Sequence, residues 1–162
     1  MTYRNLSLLS ETSLFQGFIE KFKLSYKIIG GKLCVKNERL LLLIYGFNIE
    51  DVLYFDFYKI EEKTYAHIGR LISDINKKDE LMDIYTFFNK NHIVPYVDSG
   101  NASTIKAEQY FLTYIKIMSE YLSDIFRCEF EKYNKYFEPV SVMRQKDFEE
   151  ILRRFPPDEP RL

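Results

Sequence analysis

The sequence predicts an α+β fold in one domain, and three observations support that prediction. The chain has 162 residues, a length that ordinarily forms a single domain. Between about residues 26 and 68, short apolar segments alternate with turn residues, which predicts an antiparallel sheet of four to five strands. Farther along, apolar residues recur with the helical period of about 3.6. Strands followed by helices are typical of the α+β class.

One N-terminal helix is predicted before the sheet, over residues 12–24. Ser13 and Gln16 have the spacing of a capping box, and Leu14 and Phe18 then follow at a helical interval. We therefore expect a short helix that ends before the first strand.

The first strands are defined by the turns between them. Gly30 and Gly31 predict a tight hairpin, because glycine readily adopts the positive φ that a two-residue turn requires. Residues 40–45 are apolar at every position. We therefore expect this strand in the middle of the sheet, with both of its faces covered.

The segment 52–60 is predicted to be a strand with two unlike faces. One face carries the apolar side chains of Leu53, Phe55 and Phe57. The other face carries a mixed set: Tyr54, Asp56, Tyr58 and Ile60. An aspartate on this second face predicts partial access of solvent to it.

Three helices are predicted after the sheet. The first covers about 78–91, the second and longest covers about 103–127, and the third covers 145–155. The third has acidic residues early and arginines late, an order that suits the helix dipole. We assign residues 1–155 to one domain and expect residues 156–162 to be a disordered tail.

Composition and charge narrow the classes of function. The formal net charge is −1, without the positive bias that nucleic-acid binders carry. The longest apolar run, at 40–45, is far shorter than the roughly 20 residues that span a bilayer. Cys34 and Cys128 form no CxxC motif and follow no export signal, which fits a reducing cytoplasm. We therefore predict a cytoplasmic protein that binds neither nucleic acid nor membranes.

No catalytic residues, cofactor or metal site are predicted. The chain has no G-x-S-x-G motif and no glycine-rich loop with phosphate-binding spacing. His67 lies in a strand and His92 continues a helical stripe, and neither is near a pair of carboxylates at ligand spacing. We therefore expect structural roles for both histidines.

An acid–acid–lysine set is formed by Asp51, Glu61 and Lys63. It is similar to the core of the restriction-endonuclease-like nucleases, in which two carboxylates hold Mg²⁺ and lysine supports the attacking water. Those families carry the set in an α/β core after a helix, whereas here it spans a plain hairpin. The lack of a basic surface bias also argues against a nucleic-acid substrate.

The long helix carries a feature that suggests a function. Beside its core-facing residues lies a second apolar arc, called here the tyrosine shoulder, which consists of Tyr110, Tyr114, Ile117 and Tyr121. Together the two arcs cover about 220°, roughly twice what packing on one core requires. We therefore expect a second neighbour on this side. It is either a protein partner bound at the tyrosine shoulder or, alternatively, another element of the same chain, such as the 145–155 helix.

Two classes of function remain open. The first is a non-enzymatic module that binds a protein partner or itself, and its architecture resembles that of the small bacterial immunity proteins that neutralise toxins. That resemblance concerns the α+β layout and no motif. The alternative is a small enzyme or ligand-binding domain that uses Asp56, Tyr54 and Tyr58 on the sheet face. A concave pocket with converging ionisable groups would favour an enzyme.

Overall fold

The computed structural model describes residues 3–46, 53–75 and 103–155, and it describes side chains over 6–46, 53–72 and 111–155. Predictions that concern other residues lie outside the described part. These are the helix at 78–91 with His92, the acid at position 51, and the C-terminal tail.

The order of the elements follows the predicted α+β class. Two helices come first, α1 (Tyr3–Ser10) and α2 (Ser13–Lys21). Five strands follow: β1 (Ser25–Ile29), β2 (Lys32–Lys36), β3 (Leu40–Gly46), β4 (Leu53–Lys59) and β5 (Thr64–His67). The later elements are α3 (Ile68–Ile75), α4 (Ser103–Tyr121), α5 (Ser123–Phe126), a 3₁₀ helix (Glu131–Tyr136), β6 (Glu138–Pro139) and α6 (Val142–Arg154).

The strands form one antiparallel sheet in the order β1-β2-β3-β4-β5-β6. The predicted hairpin is confirmed, since Gly30 and Gly31 have φ of 57° and 81°. The prediction that residues 40–45 form an inner strand is also confirmed, because β3 lies between β2 and β4. The sheet exceeds the predicted four to five strands by the two-residue β6. Its Pro139 pairs with Thr64 at the sheet edge, where a residue without an N–H is tolerated.

Each face of the sheet has its own hydrophobic core. On the first face, Leu42 and Phe55 pack against side chains from α1, α2 and α4. On the second face, Leu41 and Leu43 pack against Phe148 and neighbouring side chains of α6. The continuous apolar run of β3 is explained by this arrangement, because its alternate side chains enter different cores.

The long helix is shorter than predicted. It ends at Tyr121 rather than near residue 127, and α5 continues after a break at Leu122. Ser123 and Asp124 follow this break, and such residues favour the start of a helix. The chain then leaves helical geometry at Cys128, whose φ is 62°. Helices α1 and α3 were not predicted.

The long helix α4 has neighbours within the same chain, but the 145–155 helix, which the sequence suggested as an example, is not one of them. Helix α6 packs on the second face of the sheet, whereas α4 packs on the first. Helices α1 and α2 contact α4 instead, with the ring centroids of Phe15 and Phe111 5.7 Å apart. In the described part of the chain, no helix is long and apolar enough to cross a membrane.

Candidate functional site

Asp56 lies in the middle of β4 on the second face of the sheet, and its side chain is 2% exposed. The predicted partial access of solvent holds for the face, since Tyr54 and Ile60 are half-buried, but it does not extend to this carboxylate. A buried carboxylate is tolerated where other groups replace its water shell. Side chains from β3, β5 and α6 do so here.

Three side chains contact the Asp56 carboxylate. Its Oδ1 lies 2.9 Å from Nδ1 of His67. Its Oδ2 accepts a hydrogen bond of 2.6 Å from the Tyr45 hydroxyl and one of 3.1 Å from Nη1 of Arg144. Both carboxylate oxygens are thus engaged. With Tyr54, whose ring stacks on that of Tyr45, these residues are called the Asp56 cluster.

The register of the sheet explains why the strand residues of the cluster meet. Asp56 pairs with His67 across β4 and β5, and Tyr54 pairs with Tyr45 across β3 and β4. Directly opposed residues of an antiparallel pair project to the same face, and alternate residues of one strand share a face. These side chains therefore lie together on the second face.

Arg144 reaches the cluster from the first turn of α6. Ser141 caps this helix, and its Oγ accepts a hydrogen bond from the Arg144 backbone N–H. The guanidinium lies 4.3 Å from the ring centroid of Tyr65. Farther along α6, Phe148 stacks on Tyr58 with centroids 5.0 Å apart. The helix is therefore fixed on the sheet at both contacts, which limits the positions that the arginine can take.

Electrostatics favour the ionised form of the carboxylate. Burial raises the pKa of Asp56, but hydrogen bonds from His67 and Tyr45 and the nearby positive charge of Arg144 lower it further than burial raises it. Its net pKa therefore lies below the usual range. Burial and the hydrogen bond to Asp56 both raise the pKa of Tyr45, so its hydroxyl stays a donor.

The exposed side chains of the Asp56 cluster include the hydrogen-bond donors His67 and Arg144, whereas the carboxylate is buried. The side chain of His67 is 42% exposed and that of Arg144 is 38% exposed. Because Nδ1 of His67 faces Asp56, Nε2 is the ring nitrogen at the far side of the imidazole. The arrangement therefore presents an oriented imidazole from β5 and a guanidinium from α6.

The tyrosine shoulder is mostly covered by the chain itself. Ile117 is fully buried in the first core. Tyr114 is half-buried, with its ring centroid 4.6 Å from that of Phe55, and Tyr121 is half-buried against the same core. The side chain of Tyr110 lies outside the described part. A partner-binding role for these tyrosines stays a prediction. The side chain of Ile117 is fully buried, so it has no exposed surface that a partner could contact.

The two cysteines in the described part of the chain are poor nucleophiles. Cys34 is buried, and burial raises the pKa of its thiol to about 11. The half-buried Cys128 also has a raised pKa, chiefly because of desolvation. Such thiols are protonated at neutral pH and react slowly. Within the described residues, no group of three or more His, Cys, Asp or Glu side chains could hold a metal ion.

A cleft of about 70 Å³ lies between the β1–β2 turn and α6. Its lining includes Ile29, Lys32, Asp147 and Arg154, and it contains no member of the Asp56 cluster. This cleft and the Asp56 cluster therefore lie in different places on the described part of the chain. Comparisons with family models, with curated proteins and with solved structures found no match.

Proposed function

We propose that the chain is a non-enzymatic protein-binding module whose contact surface is the Asp56 cluster. The observation that carries the proposal is the orientation of half-exposed His67 and Arg144 by one buried carboxylate. Tyrosine and arginine dominate the binding energy of many protein interfaces. Side chains that are already fixed lose little conformational entropy when a partner binds.

Two exposed apolar side chains lie in the same helical turn as Arg144. Val142 and Met143 directly precede Arg144 in the first turn of α6, and they are 86% and 88% exposed. Methionine is common at binding surfaces because its flexible side chain adapts to different partners. Protein interfaces combine exposed apolar side chains of this kind with polar groups.

The biological setting is part of the proposal. Both described cysteines are free thiols, which supports a reducing cytoplasm. The partner can be a toxin, as for an immunity-type inhibitor, or a second copy of this chain. The α+β layout supports the first of these by analogy of architecture.

Selection from a displayed library of random protein fragments tests the proposal. The folded chain serves as bait, and a Tyr54→Ser/His67→Gln double variant serves for counter-selection. We expect binders that prefer the wild-type bait at least tenfold, a modest effect for the loss of two contact residues. An Arg153→Gln variant is the matched control, because this exposed arginine lies at the other end of α6. Binders that do not distinguish the three baits would contradict the proposal.

A second candidate function rests on the geometry of His67. An imidazole whose Nδ1 faces a buried carboxylate is oriented as general bases often are. The chain would then be a small enzyme that takes a proton from a substrate at Nε2. Hydrolysis of simple esters or phosphoesters that is lost in His67→Gln and kept in Arg153→Gln would favour this candidate over the binding module.

A further inference from the structure

The described part of the sheet has an open edge at β1. The strand order places β1 at one end of the sheet and the two-residue β6 at the other. The β6 edge offers little to a further strand, because Pro139 has no N–H group to donate. In contrast, β1 has five residues and no proline. Strand edges of this kind are the surfaces on which proteins accept an additional strand.

The turn after β1 shows which backbone groups of the strand face outward. Both residues of this turn have positive φ, so the pair that flanks it, Ile29 with Lys32, exchanges hydrogen bonds. Such pairs alternate with pairs whose N–H and C=O groups point away from the neighbouring strand. Tyr26 and Ile28 therefore direct these groups outward. No hydrogen bond from the rest of the described chain reaches them.

Helix α2 lies beside this edge on the first face of the sheet. The rings of Phe15 and Tyr26 meet edge-on with centroids 5.2 Å apart, and the Gln16 amide donates a hydrogen bond of 2.9 Å to the Tyr26 hydroxyl. Tyr26 is 39% exposed, and Leu14 in the first turn of α2 is 40% exposed. A strand added to β1 therefore finds apolar surface on this face.

Lys27 separates the two outward-facing residues and projects to the second face. Its side chain is exposed, and its Nζ donates a hydrogen bond of 3.4 Å to the backbone carbonyl of Arg154. Within the described residues, Lys27 forms no ion pair. An added strand with a carboxylate opposite Lys27 is therefore favoured, because opposite charges across a strand pair stabilise it.

The same lysine opposes the pairing of β1 with a second copy of itself. The self-pairing that uses both Tyr26 and Ile28 is centred on Lys27, so it places this lysine opposite its own copy. Like charges directly opposite each other destabilise a strand pair. Pairings centred on Tyr26 or Ile28 join only one outward-facing residue to its copy. A different chain is therefore the better occupant of this edge.

We propose that the open edge of β1 binds an extended segment of a second protein as an added antiparallel strand. Two apolar residues of that segment exchange backbone hydrogen bonds with Tyr26 and Ile28, and an acidic residue between them lies opposite Lys27. This surface is separate from the Asp56 cluster. Binders that use it are removed by the counter-selection described above, because the Tyr54→Ser/His67→Gln variant leaves β1 intact.

Titration of the isotope-labelled chain with short peptides, followed by NMR, tests the inference. The probe is acetyl-Thr-Val-Glu-Val-Thr-amide, whose valines can pair with Tyr26 and Ile28. Hydrogen exchange at the amides of these two residues should slow about tenfold at saturation, because both N–H groups gain an acceptor. Saturation without slower exchange, or no binding of this peptide, would overturn the proposal.

Methylated peptides separate backbone pairing from apolar contact. N-methylation of one valine removes an N–H that faces β1 and should weaken binding about tenfold. N-methylation of the glutamate is the matched control, because its N–H faces away from β1, and this peptide should still bind. An equal loss for both peptides would mean that no strand is added.

Exchange of charge tests the contact with Lys27. A probe with Lys in place of Glu should bind about fivefold more weakly, and Lys27→Glu should reverse this preference. Lys63→Glu, which changes an exposed lysine in the β4–β5 turn, should keep it. An unchanged preference in Lys27→Glu would contradict the acidic residue.

The free chain can also overturn the proposal. Slow exchange at the amides of Tyr26 and Ile28 before peptide is added would mean that the chain itself covers the edge. Shifts of these amides that grow with protein concentration would mean that a second copy occupies it. Neither result would affect the function proposed at the Asp56 cluster, which the fragment selection tests.

Discussion

Asp56 and Arg144 lie 88 positions apart in the chain, and a hydrogen bond of 3.1 Å joins Oδ2 of the first to Nη1 of the second. This contact links the inner strand β4 to the first turn of α6. It holds the helix on the second face of the sheet, and it orients the guanidinium that we propose for partner binding. The stability of the fold and the proposed recognition therefore depend on the same carboxylate.

Replacement of Asp56 by alanine should destabilise the fold by about 2–4 kcal/mol, because Tyr45, His67 and Arg144 lose their shared acceptor. Urea denaturation measures the loss. Asp147→Ala is the matched control, because this exposed carboxylate makes one ion pair of 3.6 Å, and it should cost about 0.5 kcal/mol or less. Equal effects of the two substitutions would mean that the buried contacts of Asp56 contribute no more to stability than an exposed ion pair does.

Acid should remove the contribution of the Asp56 carboxylate to stability. Its pKa is lowered in the folded protein, whereas an unfolded aspartate titrates near pH 4. The contribution is therefore present above about pH 4 and is lost as the pH falls toward the lower folded value. Stability measured between pH 6 and pH 2 should decline more steeply in the wild type than in Asp56→Asn. Parallel curves would contradict the assignment.

A charge placed in the inner strand should unfold the protein. Ile44 lies on β3 and is fully buried in the first core, so Ile44→Asp buries an unpaired carboxylate. Such a charge costs several kcal/mol against a total stability of about 5–15 kcal/mol. Lys27→Asp on the exposed side of β1 is the control and should still melt cooperatively. A cooperative thermal transition of Ile44→Asp near the wild-type temperature would disagree with the position of β3.

Truncation along α4 separates packing from recognition at the tyrosine shoulder. Ile117→Ala should cost about 2–5 kcal/mol, because the side chain is fully buried. The exposed neighbour Lys116, changed to alanine, should cost about 0.5 kcal/mol or less. Thermal denaturation measures both. A small effect of Ile117→Ala would mean that this side chain is not buried in the core. The tyrosine shoulder would then again be a candidate binding site.

The sequence predicted most of the sheet because its signals are local. The Gly30–Gly31 turn and the apolar run of β3 each depend on neighbouring residues, and both predictions are confirmed. The end of α4 was misplaced because apolar periodicity continues through the break at Leu122. Periodicity indicates which side of a segment is buried, and it does not show where helical hydrogen bonding is interrupted.

The burial of the Asp56 carboxylate was not predicted, for a different reason. Alternation along β4 correctly placed Asp56 opposite Phe55 and Phe57. Its partners come from β3, β5 and α6, and no short motif joins such distant positions. An arginine in the first turn of α6 departs from the charge order that the helix dipole favours, which was a weak signal that Arg144 has a tertiary partner.

The central claim is that recognition occurs at the Asp56 cluster and not at the tyrosine shoulder. Chemical-shift mapping of one selected binder on the isotope-labelled chain tests it most directly. We predict that the largest shifts fall on His67, Tyr54 and Arg144, with small shifts on Tyr114 and Tyr121. Shifts centred on α4, with the cluster unchanged, would contradict the claim.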